Sequence, residues 1–276
     1  MDQKGNIMMQ GFDIANVNGS GIIGRALTGD FVICKTTEGL RFVDGDHDSF
    51  VAQARSAGKL VGHYHYAHIN NSATVEADFF VQHASAQPGD VMVLDFEPYG
   101  QAGADSAYAT WILEFCRRVH AATGARCWLY LNDDMASRSI RAGSQADCDA
   151  MRAELPLWKA CYTGAAGSAY GFVMAAWQHT DQGGIDQNTF YGDASTWADF
   201  AVPAPPAPPA PAPTPPGDDM AVSPNFEPNF DALNTDLRAW CKAMDAKFDA
   251  LNKDLRADLA RKQQELDAIQ AKVLGK

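Results

Sequence analysis

Residues 1–202 alternate between short apolar runs and longer stretches of mixed character. Eight runs are rich in β-branched and aromatic residues: MQGFDIA (9–15), DFVICKT (30–36), KLVGHYHYA (59–67), VMVLDFE (91–97), RCWLYL (126–131), LPLWKACY (155–162), FVMAAWQ (172–178) and GIDQNTF (184–190). Runs of this length and composition predict strands. Residues 46–57, 72–86, 104–122 and 145–153 carry apolar residues at steps of three and four, which predicts helices. Strands alternating with helices imply an α/β fold built on a parallel barrel or a doubly wound sheet. The last strands follow one another with little helix between them, so strict eightfold regularity is not expected.

The pattern changes at PAPPAPPAPAPTPP (203–216), in which nine of fourteen residues are proline. Such a segment lacks the N–H groups that helices and sheets need and favours an extended polyproline II path, about 3.1 Å per residue. Beyond it the apolar steps are helical again, from Phe226 through Leu237, Met244 and Leu255 to Val273. FDALNTDLRA (230–239) recurs as FDALNKDLRA at 248–257, an offset of 18 residues. Eighteen residues make five helical turns, so both copies fall on one face. The expected organisation is a barrel over 1–202, a Pro/Ala-rich linker over 203–224, and a coiled-coil-like helical tail over 225–276. A single amphipathic helix has no core of its own. The tail is therefore expected to form homo-oligomers, with wall targeting or packing at a membrane surface as alternatives.

Charge narrows the partners. Residues 1–202 hold 13 Lys and Arg against 23 Asp and Glu, within a chain of net charge −12. An acidic domain is a poor match for nucleic acid, whose binding requires clustered cations. No run of 18 or more apolar residues is present, so no stable membrane insertion is expected. The N-terminal MDQKGNIMMQ has no apolar segment of the signal-peptide kind, which predicts synthesis in the cytoplasm and export by other means. The six cysteines form no C-x-x-C pair and read as reduced thiols.

The candidate chemistry lies at strand ends. In VMVLDFE, Asp95 and Glu97 are two residues apart and so share a face. Two carboxylates side by side separate their pKa values, which leaves one protonated and one charged near neutral pH. Asp13 and Asp186 also lie at the ends of candidate strands, with Lys35, Tyr64, Tyr130, Trp158, Tyr162 and Gln178 in or near matching positions. Working residues of β/α barrels gather at the C-terminal ends of strands. Acids beside aromatic rings suit a sugar: the rings stack on its faces, and the carboxylates supply the proton and negative charge that glycosidic cleavage requires. A rival constellation is the His63-x-His65 pair in GHYHYAH, with His68 and Asp186, which has the makings of a zinc site in a metal-dependent amide hydrolase.

GFDIANVNG, FVICKTTEG, AGKLVGHYHYA, VMVLDFE, LPLWKACY and WQHTDQGGIDQNTFYG occur in that order. Together, over 9–192, they resemble glycoside hydrolase family 25, the muramidases or lysozymes. The resemblance implies an irregular, TIM-like β/α barrel. It implies cleavage of the β-1,4 bond between N-acetylmuramic acid and N-acetylglucosamine in peptidoglycan glycan strands, with no cofactor and no metal. It makes Glu97 the general acid and Asp95 the partner of the substrate's acetamido group, with Asp13 and Asp186 as the remaining acids of the cleft floor. Tyr64 and Tyr130 become sugar contacts. Ala15, Asn18 and Thr36 depart from the family's usual residues, which bears on fine substrate contacts. Together with a Pro-rich linker and an added module, the resemblance suggests a phage endolysin that lyses a bacterial host after holin-type release. The alternative is an inactive wall-binding or virion structural module.

Overall fold

The computed structural model describes residues 7–101 and 103–205. The 18-residue repeat and the expected oligomerising tail lie outside the described residues. Nine strands and seven helices follow in chain order: β1 (Met9–Ile14), α1 (Ile23–Ala26), β2 (Phe31–Glu38), β3 (Phe42–Val43), α2 (His47–Ser56), β4 (Leu60–Tyr66), α3 (Ala73–Ala84), β5 (Val91–Asp95), α4 (Tyr108–Thr123), β6 (Trp128–Asn132), α5 (Asp133–Ala142), α6 (Gln145–Glu154), β7 (Leu157–Ala160), β8 (Met174–Thr180), β9 (Asp186–Phe190) and α7 (Ala194–Ala198).

The sheet runs β1-β9-β8-β7-β6-β5-β4-β2 and closes on itself through the β1–β2 pair, with β3 attached as a short hairpin on β2. Seven of the eight barrel strands are parallel neighbours, and β9 runs antiparallel to both β8 and β1. The expected irregularity therefore sits at one place. The connection from β8 to β9 is a tight turn instead of a helix crossover, and a tight turn can join only antiparallel strands.

Alternation along each strand divides the apolar residues into two layers. Phe31, Ile33, Val91, Val93, Trp128 and Trp158 fill the barrel interior. Val32, Val61, Met92, Leu94 and Leu129 face outward against the helices. Gly62 leaves room inside, because a Cβ there would come within 2.8 Å of Val91 and 2.9 Å of Ile33. Trp197 and Phe200, from α7 and the turn after it, pack on Phe31, Trp128 and Phe190 and plug one end of the barrel. The plug lies where β9 ends, which is where the parallel strands begin. The opposite end is left for the site.

Helix ends follow the local sequence. Gly124 takes φ +78 and its N–H returns to the His120 carbonyl at 2.7 Å, which stops α4. Asn132, Ser144 and Asp193 cap α5, α6 and α7, each accepting a backbone N–H three residues on. The hydrophobic pattern does not announce α5: most of its sequence, DDMASRSIRA, is polar, and only Met135, Ala136 and Ser139 are buried.

Candidate active site

The four acids named from the sequence come together. Asp13, Asp95, Glu97 and Asp186 line one cavity of about 120 Å³ at the open end of the barrel, walled by Tyr64, Tyr130, Trp158 and Gln178. A second hollow of about 360 Å³ continues from Glu97 and Tyr130 past Asn132 to Tyr162, so the cavity opens into a groove.

Two acids differ from expectation in how they arrive. Asp186 opens its strand instead of closing it. Because β9 is antiparallel, its first residue lies at the same end as the last residues of the other strands, and Asp186 pairs directly with Asp13. Glu97 lies beyond the last residue of β5, yet Phe96 N–H still bonds the Tyr130 carbonyl at 3.2 Å and keeps the pleat long enough to aim Asp95 and Glu97 into one cavity. The Glu97 carbonyl accepts from the Tyr66 hydroxyl and the Tyr99 N–H, both at 2.7 Å.

A directed hydrogen-bond network supports Asp13. Trp158 Nε1, which can only donate, gives its proton to Asn188 Oδ1 at 2.8 Å. That fixes the Asn188 amide, whose Nδ2 donates to Asp13 Oδ1 at 2.7 Å. The Tyr130 and Tyr162 hydroxyls both donate to Gln178 Oε1, at 2.8 and 2.7 Å, which turns Gln178 Nε2 toward the same Asp13 oxygen at 3.0 Å. Trp158 is almost fully buried and holds the floor, whereas Tyr162 is half exposed at the rim.

Electrostatics raise all four carboxyl groups. Burial, reinforced by the Asp186 charge, pushes Asp13 up to about 7. Asp95 is driven well above the ordinary carboxylate range by burial first and the neighbouring Glu97 second, with Lys35 opposing. Glu97 is raised by burial and by Asp186, against the hydrogen bond from Asn132. Asp186 is raised by burial and by Asp181. Asp95 Oδ1 is buried and has no hydrogen-bond partner among the described residues. All four therefore hold their protons to higher pH than free carboxyl groups do, the shift that acid–base work near neutral pH draws on.

Lys35 stands at the rim but is occupied: its Nζ bonds Glu38 at 2.6 Å and lies over the Phe42 and Tyr66 rings. A bulge at Thr36 shifts the β2–β4 register just beyond it, so Thr37 turns outward to His65.

The histidine alternative is overturned by strand parity. His63 and His65 face outward from β4, on the other side of the barrel wall from Asp186. His63 bonds His47 and Asp90 at 2.9 and 3.0 Å, and His65 bonds Thr37 and Glu76 at 2.8 and 2.7 Å. Every ring nitrogen of the pair is thereby engaged by protein. His68 bonds Glu38 at 3.1 Å. Among the described residues no group of three His, Cys, Asp or Glu is placed to hold a metal ion.

Asn132 and Asn188 belong to the site although sequence reasoning did not single them out. Asn188 sits two residues after Asp186 and so shares its face, a signal available in GIDQNTF. Asn132 is the last residue of β6, in YLNDD, where a strand end and a helix cap coincide.

A closed barrel with four carboxyl groups and aromatic side chains at one mouth has the makings of a carboxylate-dependent glycosidase. Residues 10–188 match the profile of Glycosyl hydrolases family 25, and the chain belongs to that family. It is 27% identical over 207 residues to the N,O-diacetylmuramidase of Arthroderma benhamiae, covering 68% of this chain and 78% of that one. It is 26% identical over 211 residues to Lysozyme M1 of Streptomyces globisporus, covering 68% and 69%. Its structure is similar to that of a family GH25 lysozyme from Aspergillus fumigatus, with a TM-score of 0.62 and 25% identity over 71% of this chain and all of the other.

Proposed function

We propose that this glycosidase is a peptidoglycan hydrolase that cleaves the β-1,4 bond between N-acetylmuramic acid and N-acetylglucosamine. The carrying observation is that Asp95 and Glu97 line one cleft with Asp13 and Asp186 in a chain of family 25. A muramidase and a lysozyme among its relatives support this substrate.

In the proposed reaction the glycan lies along the groove from the acid cavity toward Tyr162. Glu97, held protonated by burial and by Asp186, gives its proton to the glycosidic oxygen as the bond from C1 to that oxygen breaks. While Glu97 keeps its proton, the Glu97 charge that raises Asp95 is absent, and Asp95 serves as the anion of the pair, accepting the acetamido N–H of the muramic residue. This orients the acetamido carbonyl oxygen to attack C1 and spreads the positive charge that develops. Water then attacks C1, the acetamido oxygen leaves, and the Glu97 carboxylate takes the water's proton. Two displacements at C1 return the β configuration. The network behind Asp13 keeps the floor rigid while charge moves above it.

Among the described residues no helix is long and apolar enough to cross a membrane. The Pro-rich linker and the 18-residue repeat support a two-part enzyme whose second part raises its hold on a polymeric wall, as in phage endolysins acting in host lysis.

Purified protein on isolated walls tests the reading. Release of reducing ends, with mass spectrometry after borohydride reduction placing the new end on muramic acid, is the expected result. Wall binding without release would instead make the barrel a binding module, and released free amines would make it an amidase.

A further inference from the structure

Asn132 is tied at three points. Its Oδ1 accepts the Met135 N–H at 2.9 Å and caps α5. Its Nδ2 donates to Glu97 Oε1 and to the Tyr99 hydroxyl, both at 2.8 Å. The backbone N–H of Met135 can only donate, so the amide oxygen must face it and the amide nitrogen must face Glu97. An amide is often free to be placed either way round, but a helix cap allows one orientation.

We infer that Asn132 is a positioning residue that assigns the two oxygens of Glu97 their roles, an inference that rests on Glu97 being the general acid. Both hydrogens of Nδ2 are used, one of them on Oε1. A proton on Oε1 would meet that N–H head-on, donor against donor. The proton of neutral Glu97 therefore resides on Oε2, which accepts no hydrogen bond among the described residues and is left for the glycosidic oxygen. Once Glu97 has given up its proton, the same N–H stabilises the carboxylate on Oε1. Asn132 thus acts twice through Glu97: it orients the acid and restrains the rise in its pKa that burial and Asp186 cause. The α5 cap supplies the rigidity. Rotating the amide away would break a bond that starts the helix, so the strand end, the cap and the acid are held as one unit.

The test compares Asn132→Ala, Asn132→Asp and the parent on solubilised wall fragments across pH. Asp is as good a helix cap as Asn but presents no donor to Glu97, so Asn132→Asp separates capping from positioning. Both variants are expected to lose about tenfold to hundredfold in kcat with a smaller change in KM. In Asn132→Ala the alkaline limb of the kcat/KM profile moves to higher pH, because Glu97 loses a donor that favours its charged form; in Asn132→Asp it moves further, because a second carboxylate adds its charge. The sign is fixed: an acid that must be protonated loses activity as pH rises through its pKa, and a raised pKa carries that limb upward. Asn132→Asp, which keeps the helix cap, is also expected to melt at a higher temperature than Asn132→Ala when Glu97 is protonated. An unmoved alkaline limb in Asn132→Ala, with activity following melting temperature alone, would overturn the inference while leaving the muramidase reading standing. No cleavage by the parent would instead remove the reading on which it rests.

Discussion

Asp13 and Asp186 stand opposite one another in the antiparallel β1–β9 pair, so carboxyl groups from the first and last strands of the barrel share one place at its mouth. Burial and the neighbouring charge hold the Asp13 proton to about pH 7. Asp13 Oδ1 takes two amide donors, and Asp186 lies directly across the strand pair from it.

Asp13→Asn is expected to stabilise the protein at alkaline pH. The folded state keeps the Asp13 proton between about 4 and 7, where the unfolded chain has released it, so the parent loses stability as pH rises through that window. Asn stays neutral and offers the same acceptor to Gln178 and Asn188. In urea unfolding the variant should be more stable than the parent by on the order of 2–4 kcal/mol above pH 7, with the difference vanishing below pH 4. A difference that is constant across pH would contradict a raised Asp13.

Glu97→Gln should lower the release of reducing ends by about 10²–10⁴-fold with little change in melting temperature. Gln at 97 still offers an oxygen to Asn132 Nδ2, so the loss isolates the missing proton. Asp95→Asn should lower turnover by about 10²–10³-fold, because a neutral amide cannot balance the charge that develops on the acetamido group. Wild-type rates in either variant would remove that residue from the chemistry.

His65→Ala tests the histidine pair from the other side. His65 is fully buried, lies against Phe80 and Phe115, and pairs with the equally buried Glu76. Removing it leaves a buried carboxylate short of a partner, at a cost of about 3 kcal/mol in unfolding free energy. Well below the melting temperature the rate on wall fragments should match the parent, with or without a chelator. A selective loss of rate on chelation would reopen the metal reading.

Deleting residues 217–276 should leave activity on soluble wall fragments unchanged and lower it on whole walls. Sedimentation of the same two proteins shows whether the repeat sets the oligomer. Equal rates on whole walls would show that the tail contributes no avidity.

Much of this protein is legible from the order of its residues. Strand positions, the long helices and the four acids follow from apolar periodicity and from the family motifs, because both depend on local spacing. Strand period also separates inward Tyr64 from outward His63 and His65, but it cannot say which face looks into the barrel. The HYHY run was for that reason open to a metal reading until packing placed its histidines against α2, α3 and the loop before β5. The sequence alone determined that carboxyl groups would stand at strand ends beside aromatic residues. Only the tertiary structure decided that the last strand turns back, that Asp186 enters at its start, that His63 and His65 face away from the mouth, and that the helix cap Asn132 reaches Glu97. Each of these depends on which distant segments pair when the barrel closes, and closure is a property of all eight strands together, not of any local run.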